Sequence, residues 1–163
     1  MKKILAAVST FLLIGAIAFA EGSFLANDLE TSESVTEAIA LNGFTVNASK
    51  DKDVRVKNTS KVAPDGKSFK KCLDLRGKQS NGARTIKFSA KKGETVTVYG
   101  NSGSKTDDRT ILVQTAKKKT ILKVPVKIYT GEISMGEVKI PEEGDYQVCS
   151  EDKGVYVYGI IVK

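Results

Sequence analysis

Histidine is absent from the 163 residues, which removes the Ser/His and Cys/His nucleophile pairs, because a hydroxyl or thiol would have no imidazole base beside it. The glycines never take the spacing of a phosphate-cradling loop ahead of a helix. Hydrolysis by paired carboxylates needs one acid with a raised pKa in an apolar setting, and no Asp or Glu here has such neighbours in sequence. Asp107-Asp108 is followed at once by Arg109, the pattern of a charge-paired turn. Asp51 and Asp53 are the nearest acids that a structural calcium could use, but Lys52 separates them and they read as a solvated start of a strand. No cofactor is expected, and the chain is not expected to be an enzyme.

Long apolar runs are also scarce, apart from one at the start. MKKILAAVSTFLLIGAIAFA has a basic beginning at Lys2 and Lys3, an uncharged apolar middle and an Ala18-Phe19-Ala20 ending. This is the form of a secretory signal peptide, with cleavage expected between Ala20 and Glu21. Ser9, Thr10 and Gly15 interrupt the run, and no stop-transfer charges follow it, which disfavours a membrane anchor. The expected organisation is therefore a signal peptide over 1–20 and one domain over 21–163, secreted, periplasmic or at the cell surface, with no transmembrane segment after cleavage.

Loss of Lys2 and Lys3 lowers the formal charge from +7 to +5. The remaining charge is uneven. Residues 21–42 hold five acids and no base, so the rest of the chain carries +10. A basic exported domain meets acidic polysaccharides, lipopolysaccharide and anionic headgroups; nucleic acid is not an expected partner behind an export signal. Lysines that merely solubilise a β-rich surface and guard its edges explain the same composition.

Short alternating runs bounded by turn residues recur beyond the leader. They predict strands near 44–48, 53–57, 68–75, 84–88, 94–99, 110–114, 121–125, 137–140, 145–149 and 155–162. Ten short strands point to a β-sandwich. Turns such as Pro64-Asp65-Gly66 and Ser80-Asn81-Gly82 place glycine where positive φ is cheap. A short helix is expected within 27–41, capped by Asn27 or Asp28.

Strand alternation sorts the side chains by face. Phe69, Leu73, Leu75, Ile86, Phe88, Val96 and Val98 are expected inward. Lys70, Cys72, Arg76, Lys87, Tyr99, Tyr156 and Tyr158 are expected outward, with a bulge at Gly159 resetting the last strand so that Ile160 and Val162 turn in. Lys70, Arg76, Lys87, Tyr99, Tyr156 and Tyr158 thus form a candidate ligand-binding surface. Tyrosine rings can lie against the C–H face of a sugar, and Lys and Arg meet uronate carboxylates. Cross-strand packing is the other use of alternating tyrosines. Arg84 and Arg109 are expected in salt bridges with Asp107 or Asp108. Cys72 and Cys149, both outward in an exported chain, are expected to form a disulfide, free thiols being the alternative.

The order of weak motifs is specific beyond composition. NGFT at 42–45 opens a series that continues with a DGxSF turn, a strand ending LxLxG, an RxIxF strand, TVTVY, DRT, and a closing VYVYGIIV. This order resembles the non-catalytic β-sandwich modules appended to secreted bacterial pectate lyases, with the likeness running from about Phe24 to Lys163. The cysteines depart from that pattern. With the strand count, the resemblance implies an all-β, jelly-roll-type antiparallel β-sandwich in a single domain, its two chain ends in neighbouring strands. It implies a carbohydrate-binding or structural role, and the outward tyrosines and bases make a polar or acidic glycan the expected ligand. The competing expectation is an assembly protein of the cell envelope that uses the sandwich for protein contacts.

Overall fold

A computed structural model of the chain describes residues 22–30 and 34–163; the expected leader and its cleavage point lie outside them. The fold is an all-β sandwich of two antiparallel sheets. Its strands are β1 (Gly22–Leu25), β2 (Ser34–Val35), β3 (Ile39–Leu41), β4 (Phe44–Asn47), β5 (Val54–Val62), β6 (Ser68–Asp74), β7 (Thr85–Ala90), β8 (Thr95–Ser102), β9 (Arg109–Thr115), β10 (Thr120–Val126), β11 (Ser134–Lys139), β12 (Gly144–Ser150) and β13 (Val155–Val162). One sheet runs β11-β8-β13-β6-β5-β2, with β1 also paired to β13; the other runs β10-β9-β12-β7-β4-β3. All ten strands expected from alternation are present. The first described strand pairs with the last, Gly22 lying opposite Val162.

Where a helix was expected within 27–41, a single 3-10 turn at Ala26–Asp28 leads instead to the short strands β2 and β3. Low helical propensity let edge pairing win: Val35 is seated opposite Val54 and Ile39 opposite Val46. The main core lies between the sheets, where Leu73, Val96, Val98, Val157 and Ile160 of one meet Ile86, Ile111, Val113 and Val148 of the other. The bulge expected at Gly159 is there, with the β13–β8 register shifting between Val157 and Gly159. Ile160 and Val162 consequently face the core.

Phe69 is a correction to the alternation. The amides of Lys70 and Lys71 both donate to Asn27 Oδ1, at 2.8 and 3.0 Å, and the β5–β6 register shifts between Asn58 and Lys61. This irregularity changes the phase, so Phe69 joins Cys72 on the outer side of its sheet while Leu73 remains in the core.

The disulfide is also corrected, because both cysteines are free. Alternation placed each on an outer face correctly, but on different sheets. Cys72 lies in a cluster outside the first sheet, and Cys149 donates to Gln114 Oε1 at 3.4 Å outside the second. The whole core separates them. Burial pushes the Cys72 thiol up to about 12, with nearby Asp74 adding to the effect, and Cys149 up to about 11. Under denaturing, non-reducing conditions two thiols per chain are expected to react with a thiol reagent, whereas the native protein at neutral pH should react far more slowly. A denatured chain without reactive thiols would restore the bridge.

Candidate functional site

The predicted binding residues do not share one solvent-facing surface. Tyr99 and Tyr158 are 2% and 0% exposed. They pack with Ala63, Phe69, Cys72 and Ile133 in a second apolar cluster on the outside of the first sheet. Phe69 lies between the two tyrosines, with ring centroids 5.5 and 5.6 Å away. Residues 63–67 and 127–133 cover this cluster. Asp65 accepts the Tyr99 hydroxyl at 2.8 Å. Asn101 accepts the Tyr158 hydroxyl at 3.0 Å and donates to the Glu132 carbonyl at 2.6 Å. Lys61 Nζ donates to Asn101 Oδ1, to the Gly131 carbonyl at 2.6 Å and to the Tyr129 carbonyl. A buried network of this kind holds the covering segment shut. Lys70 is exposed on β6, and Lys87 is exposed on the other sheet.

Arg76 and Tyr156 do come together, in a cleft of about 640 Å³ at one end of the sandwich. The connections between β6 and β7, β8 and β9, and β12 and β13 build it, together with Lys52 and Lys57 from the start of β5 and the turn before it. Seven cations (Lys52, Lys57, Arg76, Lys78, Arg84, Arg109 and Lys153) line the cleft against two carboxylates, Asp74 and Asp152. Asp74 is already paired to Lys57 at 2.7 Å. Lys57 also donates to the Tyr156 hydroxyl at 3.0 Å and lies 4.7 Å from the centre of that ring. Although desolvation acts against it, Asp74 and Tyr156 together hold the Lys57 pKa above the ordinary lysine value.

Two of the arginines are held in a backbone conformation that side chains rarely adopt, with φ of 55° at Arg76 and 59° at Arg84. Such residues cost on the order of 1–3 kcal/mol and persist where their surroundings impose them. Asp74 Oδ1 accepts the Arg76 amide at 2.8 Å, and Asn47 accepts the Arg84 amide at 2.7 Å. The result is that both side chains leave their strands and enter the cleft. Asp53 takes the Arg76 guanidinium at 2.6 Å and the Ser34 hydroxyl at 2.9 Å. Desolvation opposes ionisation of Asp53, but the Ser34 hydrogen bond and the Arg76 charge outweigh it and lower its pKa. Because the folded pKa is depressed, this tether is intact at neutral pH and is lost only as pH falls below the ordinary aspartate range.

The salt bridges expected of Arg84 and Arg109 do not form among the described residues. Asp108 is taken by Lys127 at 2.9 Å, and Asp107 accepts from Ser104 within its own turn. Arg109 instead donates to the Gly154 carbonyl, and Arg84 Nε to the Asp53 carbonyl at 3.4 Å. Carbonyl partners orient a guanidinium without cancelling its charge. Lys52, Lys78 and Lys153 likewise have no carboxylate partner among the described residues, nor do these residues hold a cluster of metal-ligating side chains.

Of the cleft, sequence reasoning found Arg76 and Tyr156 and missed the remainder. Its members come from connections far apart in the chain, and the one local signal was the density of Lys and Arg in residues 43–163.

No family model and no curated relative matches the chain. Among solved structures it is similar in outline to a family 6 carbohydrate-binding module, at 8% identity and TM-score 0.45 over 88% of this chain and 94% of that one. It is also similar to CsCBM6-3 from Clostridium stercorarium in complex with cellobiose, at 12% identity and TM-score 0.41 over 92% and 98%. A third is the CBM22-1 xylan-binding domain from Paenibacillus barcinonensis Xyn10C, at 13% identity and TM-score 0.43 over 90% and 97%.

The cleft closes because two glycines let its turns approach. Gly103 donates to the Gly154 carbonyl at 3.0 Å, and a Cβ on Gly103 would stand 2.7 Å from that oxygen. Gly103→Ala is therefore expected to push the β12–β13 turn away and to destabilise the fold by about 1–3 kcal/mol, as overpacking does. Chemical denaturation of the variant checks this, and an unchanged midpoint would contradict the contact.

Proposed function

We propose that the protein is an exported, non-catalytic carbohydrate-binding protein and that the end cleft takes an acidic glycan. The observation that carries this reading is the charge imbalance of the cleft, where five of the seven cations lack a carboxylate partner among the described residues. Arg guanidinium groups match a carboxylate in a planar, two-point geometry, and lysine ammonium groups supply point charges around it. Uronate-bearing sugars offer that carboxylate on a frame of hydroxyls. The signal peptide expected from the sequence puts such polymers within reach and nucleic acid out of it.

The arrangement is suited to binding rather than bond-breaking. The cleft's carboxylates are Asp74, already paired with Lys57, and Asp152, which accepts the Lys153 amide at 2.6 Å, so both have partners within the chain. Tyr156 is 9% exposed and bound to Lys57, so it contributes an edge of the cleft wall rather than an open platform.

Isothermal titration with a short galacturonate oligomer should show saturable binding, with a Kd on the order of micromolar to millimolar, weakening steeply as salt rises. Lys78 and Lys153 make no side-chain ion pair among the described residues, so Lys78→Glu with Lys153→Glu should fold normally. This double variant should bind at least about tenfold more weakly, the effect of losing one charge-assisted contact. Equal affinity in the variant, or no binding by the parent at low salt, overturns the reading. Concentration-dependent oligomers without glycan binding would favour the assembly role instead.

A further inference from the structure

The end cleft does not stop at its rim. Ser80, Asn81, Gly82 and Ala83 form a tight hairpin, with reciprocal bonds between Ser80 and Ala83 of 3.3 and 2.9 Å and positive φ at both Asn81 and Gly82. Two further depressions border the same hairpin. One, of about 360 Å³, shares Lys52 and Ser80 with the end cleft. The other, of about 430 Å³ on the outer face of the second sheet, shares Gly82 and Lys87 with the first of these and Gln79 with the end cleft. Adjoining through these shared residues, the three make a candidate trough. Each part alone is the size of a site for a compact ligand, and the whole is longer than such a ligand needs.

Charge continues along this trough. Lys87 and Lys118 line the part over the second sheet, where the single carboxylate, Asp145, accepts the Ser89 hydroxyl at 2.6 Å. In the middle part Lys52 and Lys87 oppose Asp51. Beside these cations runs a chain of amides, of which Gln79 and the buried Gln147 line the depression. Gln79 Nε2 donates to Gln147 Oε1 at 3.3 Å, Gln147 Nε2 to Gln114 Oε1 at 3.1 Å, and Gln114 Nε2 to the Thr120 hydroxyl at 3.2 Å. An amide group has two donor hydrogens and an oxygen with two lone pairs; Gln114 Oε1 is filled by Gln147 and Cys149, whereas Gln79 spends one donor hydrogen on Gln147 and keeps its oxygen for a ligand. Cations beside an amide held in place by its neighbour match a polymer that repeats carboxylate and hydroxyls.

We propose that the ligand is a linear acidic polysaccharide bound along its chain, running from the end cleft past the Ser80–Ala83 hairpin onto the outer face of the second sheet. The proposal rests on the acidic-glycan reading of the end cleft and extends it from a site for a sugar to a track for a polymer. Lys87, expected from the sequence to bind ligand, belongs to the track, although it stands on the opposite sheet from Arg76.

The test compares a galacturonate dimer with a galacturonate decamer by isothermal titration, for the parent protein, for Lys87→Glu with Lys118→Glu, and for Lys78→Glu with Lys153→Glu. Thermal melts check that each variant folds, and Lys87→Gln with Lys118→Gln replaces the track pair if charge reversal unfolds it. The parent should bind the decamer at least about tenfold more tightly than the dimer. The track pair should lose that gain while dimer affinity stays unchanged, and the end-cleft pair should weaken both ligands. If the parent binds the dimer but the track pair leaves decamer affinity intact, the track is wrong and the end cleft stands. If the parent binds neither, the acidic-glycan reading itself fails. Equal affinity for a thymidine oligonucleotide of the same charge would overturn the proposal in favour of unselective polyanion binding.

Discussion

Burial of β13 on both of its faces is the constraint on which the rest of the structure depends. It stands between β8 and β6 in the first sheet, with β1 continuing alongside its second half. Val155, Val157, Ile160 and Val162 feed the core between the sheets, while Tyr156 and Tyr158 feed the cluster outside. A regular strand cannot deliver this set, because Tyr158 and Ile160 share a parity. The bulge between Val157 and Gly159 breaks the alternation and lets the strand serve both compartments. A Cβ on Gly159 would stand 3.1 Å from Leu25 Cδ2, which ties the same glycine to the close seating of the first strand.

A sheet face that carries tyrosines must be covered, and the cover determines where a ligand can go. The Lys61–Asn101–Tyr158 network fastens residues 127–133 over the outer cluster. Desolvation lowers the Lys61 pKa, yet three oxygen acceptors surround the ammonium group, so its charge serves the fold rather than a ligand. With that face closed, the basic end of the sandwich and the polar outer face of the second sheet are concave surfaces among the described residues that carry cations. The strained backbone at Arg76 and Arg84 lies where these two surfaces meet, at either end of the 76–84 connection. Strain concentrated there and absent from the core strands fits a region shaped for contact with something other than the chain itself.

What could be read from the amino-acid order was what depends on local physics. Period-two alternation between turn residues located ten strands, because side chains on a strand must alternate between core and water whatever their neighbours are. Gly159 announced its bulge through the abrupt change of parity between two tyrosines and the aliphatics after them. Outward placement of Cys72 and Cys149 followed from the same rule. The short edge strands β2 and β3 were missed because two or three residues carry no measurable period, and their existence depends on partners at Val54 and Val46.

Only the tertiary structure decided what outward means for each residue. Alternation cannot distinguish a face turned to solvent from a face turned to a covering loop, so Tyr99 and Tyr158 were placed on the correct side and in the wrong environment. Nor does it say which sheet a strand joins, and that choice put the core between the two cysteines and Lys87 on the opposite sheet from the strand that leads to Arg76. The cleft had no local signature at all. Its cations arrive from four separate connections, and they become one site only when strand pairing brings those connections to the same end. Sequence alone established the charge and the strands; pairing between distant strands established where the charge is offered.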